Sequence, residues 1–103
     1  MPLSEDGSAL RLKDEDDVAV ALRPLEAGHT LQFEGAAVTV GSPIPTGHKF
    51  ATRPIARGAL IRKYGQVIGK ASASIGVGDH VHVHNVEGTR GRGDLASPEP
   101  VER

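Results

Sequence analysis

An all-β fold, a small domain of short bent strands, is what this sequence predicts, and three observations carry it. Glycine (13) and proline (7) together exceed average usage in 103 residues, which disfavours a helical bundle and favours strands joined by tight turns. Apolar and polar residues alternate strictly through Asp79-His-Val-His-Val-His84, the period of a half-buried strand. A weak repeat, apolar-x-x-Gly-x-x-apolar, occurs at Leu25…Gly28…Leu31, Ile55…Gly58…Ile61 and Ile75…Gly78…Val81. Each of these glycines is expected where the chain reverses into a strand and a Cβ would clash.

The elements follow in order. Residues 1–14 show no hydrophobic period and are expected to form a flexible acidic leader. Residues 15–86 are expected to form one domain, because a chain this short holds a single core. Val18-Ala-Val-Ala-Leu22 is a short apolar strand. Leu31-Gln-Phe33, the turn Glu34-Gly35 and Ala37-Val-Thr-Val40 read as a hairpin. His48-Lys-Phe-Ala-Thr52 is a strand ended by Pro54. Leu60 to Tyr64, Gly65, then Gln66-Val-Ile68 reads as a second hairpin, and Asp79–His84 is the last strand. Residues 87–103 are rich in glycine, proline and charge, and are expected to be a disordered tail or linker remnant. The Arg92-Gly-Asp94 triplet in that tail is read as chance.

Charge and cysteine content exclude several classes. The net charge of -1 divides unevenly: residues 1–17 hold six acids and two bases, whereas residues 18–86 hold three acids and seven bases. A basic body suits an anionic ligand or an acidic partner surface. Nucleic acid is not expected, because there is neither an aromatic stacking platform nor a dense Lys/Arg cluster. Zero cysteines exclude disulfides, thiolate metal sites and a cysteine nucleophile. No apolar run approaches the ~20 residues of a membrane span, and the polar, acidic start is unlike a secretion signal. The expectation is a cytoplasmic protein with no membrane association. Its small core favours association into oligomers, homo-oligomers included.

Five histidines, at positions 29, 48, 80, 82 and 84, carry the chemical signal. Strand alternation puts His80, His82 and His84 on one face and Val81 and Val83 on the other, with the valines toward the core. Alternate residues lie roughly 6.6 Å apart along a strand, whereas metal–nitrogen bonds are about 2.0–2.1 Å. His82 and His84 can therefore converge on one ion. All three cannot, unless the strand bends, and a third ligand would come from another strand, such as His48, or from another chain. Imidazole suits Zn, Fe, Ni or Cu. Gly47-His48-Lys49, opening a strand after a turn, is a second candidate, in which His48 and Lys49 could hold a carboxylate.

At these residues the sequence resembles a known family. Asp16-Asp-Val-Ala-Val-Ala-Leu22, Ile44-Pro-Thr-Gly-His-Lys-Phe-Ala51, Lys63-Tyr-Gly-Gln-Val-Ile-Gly69 and Gly78-Asp-His-Val-His-Val-His-Asn85 follow one another as in the amino-terminal SAF domain of altronate and galactarate dehydratases. The resemblance implies a β-clip fold. It also implies a carbon–oxygen lyase that removes water from sugar acids with a divalent metal, often iron. A similar small subunit accompanies a large one in sulfolactate sulfo-lyase. The family's long catalytic portion has no counterpart here, so the chain is expected to be a small subunit that is inactive without a large catalytic partner. In that setting His82 and His84 are expected as metal ligands. His48 and Lys49 are expected as catalytic groups, with Lys49, His80 and Asn85 binding a carboxylate substrate. The alternative is a non-catalytic binding or assembly module that docks on the large subunit or holds an acidic sugar.

Overall fold

The computed structural model describes residues 3–13 and 15–88. These residues form β1 (Ala9–Leu10), β2 (Val18–Ala21), β3 (Thr30–Phe33), β4 (Ala36–Thr39), β5 (Lys49–Ala51), β6 (Leu60–Lys63), β7 (Gln66–Ala71), β8 (His80–Val81) and β9 (Val86–Glu87). Among the described residues there is no helix, and so none long and apolar enough to cross a membrane. The fold is all-β. Every pairing is antiparallel, within a four-stranded sheet β1-β2-β5-β8, a β3-β4 hairpin and a β6-β7-β9 sheet.

The four-stranded sheet is the middle layer, and its register shows why. Ala19 pairs with Phe50 and Phe50 with His80. Paired residues share a face, so this row points one way, and the row Val20–Lys49–Val81 points the other. On the first face Ala9, Ala19, Ala21 and Phe50 pack with Leu31, Phe33, Val38 and Val40 of the β3-β4 hairpin. On the second, Val18, Ala51 and Val81 pack with Ile61 and Ala71 of β6 and β7. β2 is covered on both sides, which is why Val-Ala-Val-Ala is apolar at every position instead of alternating. Each large side chain buried here contributes about 1.5–3 kcal/mol. Small alanines at the β2 positions let the covering hairpins approach closely.

The two covering hairpins are copies of one unit. Leu25, Gly28, Leu31 and Gly35 recur 30 residues later as Ile55, Gly58, Ile61 and Gly65. Leu25 and Ile44 form a mutual backbone bridge, and so do Ile55 and Ile75. Ile44 to Ile75 is an offset of 31. The extra residue is taken up by a bulge in the β6-β7 pairing, where the register shifts between Ile61 and Arg62. Ile44…Gly47…Phe50 is therefore a fourth member of the turn motif, beyond the three seen by pattern.

The clash expected at these turn glycines exists at one of them. A Cβ on Gly28, Gly47 or Gly58 would meet nothing within 4 Å, and at these positions glycine is required by a φ of +84 to +88°. A Cβ on Gly78 would collide with the carbonyl oxygen of Thr39. At Gly69, where φ is ordinary, a Cβ would lie 2.7 Å from Val86 and 2.8 Å from the Glu87 carbonyl, so this glycine admits β9.

Three sequence expectations are corrected. The strand expected over 79–84 is regular only at His80–Val81; residues 82–85 form a turn, and Val83 is 81% exposed instead of facing the core. The segment expected as a flexible leader contributes β1, which pairs with β2 through Ala9 and Ala21. Ser4 and Ser8 there are buried around Asp6. Of the expected tail, Glu87 is instead paired with Lys70 in β9, and residues 89–103, with the Arg92-Gly-Asp94 triplet, lie outside the described residues.

Candidate functional site

The site grows from the outer end of the β5-β8 pairing. Phe50 faces His80 and Lys49 faces Val81, so the next rung sets His48 opposite His82. The two rings stack with centroids 4.1 Å apart and planes inclined by 18°. His80 shares their face, its ring 5.0 Å from His48 and 5.6 Å from His82. Nδ1 of His48 lies 2.8 Å from Nε2 of His80. His48, His80 and His82 each offer a ring nitrogen, and these atoms all lie within 4.8 Å of one another.

Local structure explains the convergence. The Gly47 amide donates to the Ala21 carbonyl and the His48 amide to the Pro45 carbonyl, which sets His48 at the head of β5. After Val81 the chain turns. The His82 amide donates to Oδ1 of Asn85, and Nδ2 of Asn85 donates to the His80 carbonyl. This bend is what an ideal strand lacks.

His84 lies past the bend. Its ring is tilted by 39° against His80, with centroids 5.3 Å apart, and it stands outside the three-nitrogen cluster. The structure thus groups His82 with His48 and His80, where the sequence suggested His82 with His84. Lys49 belongs to the row facing away from Phe50, so it diverges from His48. Asn85 is buried, and both ends of its amide bond to backbone. His29 is elsewhere, with Nε2 3.0 Å from Asp6 Oδ2.

The electrostatics favour the neutral form of His80 and His82. Partial burial lowers the pKa of His80 below the ordinary histidine value, and the charges of His48, His84, His82 and Lys49 lower it further. His82 is lowered in the same way, by desolvation first and then by His48, Lys49 and His84. Lys49 is itself held below its ordinary value by burial and by the nearby charge of Lys63. A neutral imidazole keeps one lone pair. At 2.8 Å, one ring of the His48–His80 pair donates to the other, or both lone pairs meet a cation. Two nitrogens bound at about 2.0–2.1 Å and at right angles to each other lie about 2.8–3.0 Å apart. The His48–His80 spacing fits two ligands of one imidazole-preferring divalent metal, and His82, stacked on His48, could join them once its ring turns.

Two residues that hold the scaffold are not singled out from the sequence as site or core residues. Asp16 is fully buried, and its carboxylate accepts the amides of Lys13, Tyr64 and Gly65. Asp6 accepts from Ser4, from the hydroxyl and amide of Ser8, and contacts His29. Both lie in the acidic stretch, where charge reads as solvation.

Turn glycines at fixed spacing, a doubly covered strand and an imidazole cluster on a bent edge define a β domain specialised to present one small site. The chain belongs to the altronate/galactarate dehydratase SAF domain family, whose model matches residues 7–89. It is 39% identical over 80 residues to an altronate dehydratase of Bacillus subtilis, covering 78% of this chain and 16% of that protein. It is 47% identical over 70 residues to an altronate dehydratase of Escherichia coli, covering 68% and 14%. With the (2R)-sulfolactate sulfo-lyase subunit alpha of Chromohalobacter salexigens it shares 44% identity over 66 residues, 64% of this chain and 65% of that subunit. The chain thus spans about one sixth of the altronate dehydratases it matches. Its relatives are lyases, in which this domain is either part of a much longer chain or a named subunit.

Proposed function

We propose that this chain is the small, SAF-domain subunit of a metal-dependent sugar-acid hydro-lyase of the altronate/galactarate dehydratase type. Its imidazole cluster contributes to a site that a large catalytic subunit completes. The observation that carries this reading is the convergence of His48, His80 and His82 within 4.8 Å on a partly exposed edge.

His48, His80 and His82 would hold the metal. When bound, a divalent cation supplies charge stabilisation to the carboxylate of the substrate as the neighbouring carbon loses its proton. The chain's own residues do the rest of what this domain offers. Lys49, whose charge is felt at both His80 and His82, adds positive potential for an anionic substrate. His84, tilted against His80 at the rim, would pass a proton to a departing hydroxyl. The general base is assigned to the large subunit.

The test is reconstitution. With its large partner chain, this protein should support dehydration of altronate or galactarate, and His48→Ala together with His82→Ala should abolish that gain. Full activity with the doubly substituted chain would overturn the reading in favour of a docking module. Release of sulfite from sulfolactate in place of dehydration would move the reaction class to that of the sulfo-lyase relatives.

A further inference from the structure

The geometry points to Asn85 as the positioning residue of the imidazole cluster: its side-chain amide takes the place of a neighbouring strand at the open edge of β8 and thereby fixes where His80 and His82 stand. Its bearing on ligand binding rests on the reading of that cluster given above.

β8 is the last strand of the four-stranded sheet. One side pairs with β5, through Phe50–His80 and Lys49–Val81. The other side exposes the His80 carbonyl and the His82 amide, which flank Val81. Asn85 engages both, donating from Nδ2 to the first at 2.8 Å and accepting at Oδ1 from the second at 3.0 Å. A residue in a parallel neighbouring strand makes this same pair of bonds, to the carbonyl before and the amide after the residue it faces. One carboxamide therefore makes the pair of bonds that a residue of a neighbouring strand would make.

The Asn85 backbone is anchored as well. Its amide donates to the His82 carbonyl, and its carbonyl accepts the Ser72 amide at the end of β7. The next residue, Val86, pairs with Ala71. Asn85 thus ties the bend carrying His82 to the β6-β7-β9 sheet, and it is only 9% exposed. Without the amide, the His80 carbonyl and His82 amide turn to solvent. The backbone bond from the Asn85 amide to the His82 carbonyl is then left to hold the bend that sets His82 against His48. The role is positional: the amide acts on the two histidines through their backbone.

The test uses the full chain and the variants Asn85→Ala and Asn85→Ser, the second retaining an oxygen for the His82 amide. The first readout needs no metal: ring-to-ring NOEs between His48 and His82, and the tautomers of His48 and His80 in ring-nitrogen NMR spectra. The second is Co2+ affinity, followed by its absorption spectrum. The expected result is loss of the His48–His82 NOEs and relaxed tautomers in Asn85→Ala. Co2+ binding should weaken at least about tenfold, with Asn85→Ser intermediate and NOEs between Leu25 and Ile44 retained in both. Unchanged ring contacts and tautomers in a folded Asn85→Ala chain would overturn the inference, as would Co2+ affinity within twofold of wild type. If the wild-type chain takes up no Co2+, the ligand reading fails, and the ring contacts alone decide the role of Asn85.

Discussion

Nδ1 of His48 and Nε2 of His80 lie 2.8 Å apart although the residues are 32 positions apart in the chain. Each comes from a different copy of the turn motif, and the β5-β8 pairing brings them together. Because this arrangement exists only in the folded chain, a metal that binds it stabilises folding by mass action. At a free concentration 100 times its dissociation constant the gain is about 2.7 kcal/mol. Thermal unfolding with and without Co2+ or Zn2+ should show a higher Tm with the ion, reversed by a chelator. His48→Ala should abolish the shift; the same shift in that variant would show that the ion binds elsewhere.

Asp6 predicts an acid sensitivity outside the histidine cluster. The Ser8 hydroxyl, then Ser4, the Ser8 amide and His29 hold its carboxyl well below the usual carboxylate range, against the opposing effect of burial. A depressed folded pKa means that the unfolded chain binds the proton first. The stabilisation is therefore complete above the ordinary aspartate value and is lost as pH falls below it, from about pH 4 downward. The side chain is 37% exposed, with His29 and Arg23 beside it, so solvent screening limits the effect to about 1 kcal/mol. Asp6→Asn should lower the urea midpoint at pH 7 by a corresponding amount, and the gap should narrow at pH 3. A gap that widens on acidification would refute this assignment.

The Asp16 carboxylate and the turn it holds give a pair of opposite predictions. Tyr64 has a φ of +56° and Gly65 one of +78°, the pair of positive angles that a type I′ hairpin turn requires. Tyrosine is strained there, whereas asparagine tolerates the conformation. Tyr64→Asn, which creates the preferred Asn-Gly pair, should stabilise the chain by about 0.5–1 kcal/mol after the loss of the Lys63–Tyr64 ring contact. Asp16→Ala should destabilise by about 3 kcal/mol, since it leaves the amides of Lys13, Tyr64 and Gly65 without their acceptor. Urea unfolding of the two variants checks both signs.

Much of the fold is local and was therefore legible. Glycine turns, the two hairpins and the apolar β2 are each encoded within a few residues, and strands such as Leu60–Lys63 fall where alternation and turn residues put them. The site was only half legible. Three histidines in a row at alternate positions flag themselves, and His48 follows a turn glycine. The selection of His48, His80 and His82 over His84, however, depends on where the strand stops. That stop is set by Asn85 reaching back to His80 and His82, a short contact that competes with strand geometry and has no hydrophobic signature. Asp16 was illegible for another reason. Its partners Tyr64 and Gly65 lie 48 and 49 residues away, and among neighbouring acids nothing marks one of them as buried.

The repeated turn offers a comparison within one molecule. Gly58 and Gly78 have nearly the same φ, +87° and +86°, and their amides donate to the carbonyls of Ala71 and Ala51. They differ in what surrounds them. A Cβ on Gly58 meets nothing within 4 Å, so Gly58→Ala suffers only from the left-handed backbone, about 1–2 kcal/mol. A Cβ on Gly78 meets the Thr39 carbonyl and the backbone of Val40, where β4 runs past the turn leading into β8. Overpacking adds about 1–3 kcal/mol, so Gly78→Ala should lose roughly 2–5 kcal/mol in total. In a domain this small, each kcal/mol moves Tm by about 4–8 °C, and the two variants should separate clearly in a thermal melt. Because Gly78 precedes Asp79 and His80, Gly78→Ala should also weaken the His48–His80 contact, while Gly58→Ala leaves it intact. Equal losses of stability in both variants would mean that backbone conformation alone fixes these glycines, and that the approach of β4 does not constrain the histidine edge.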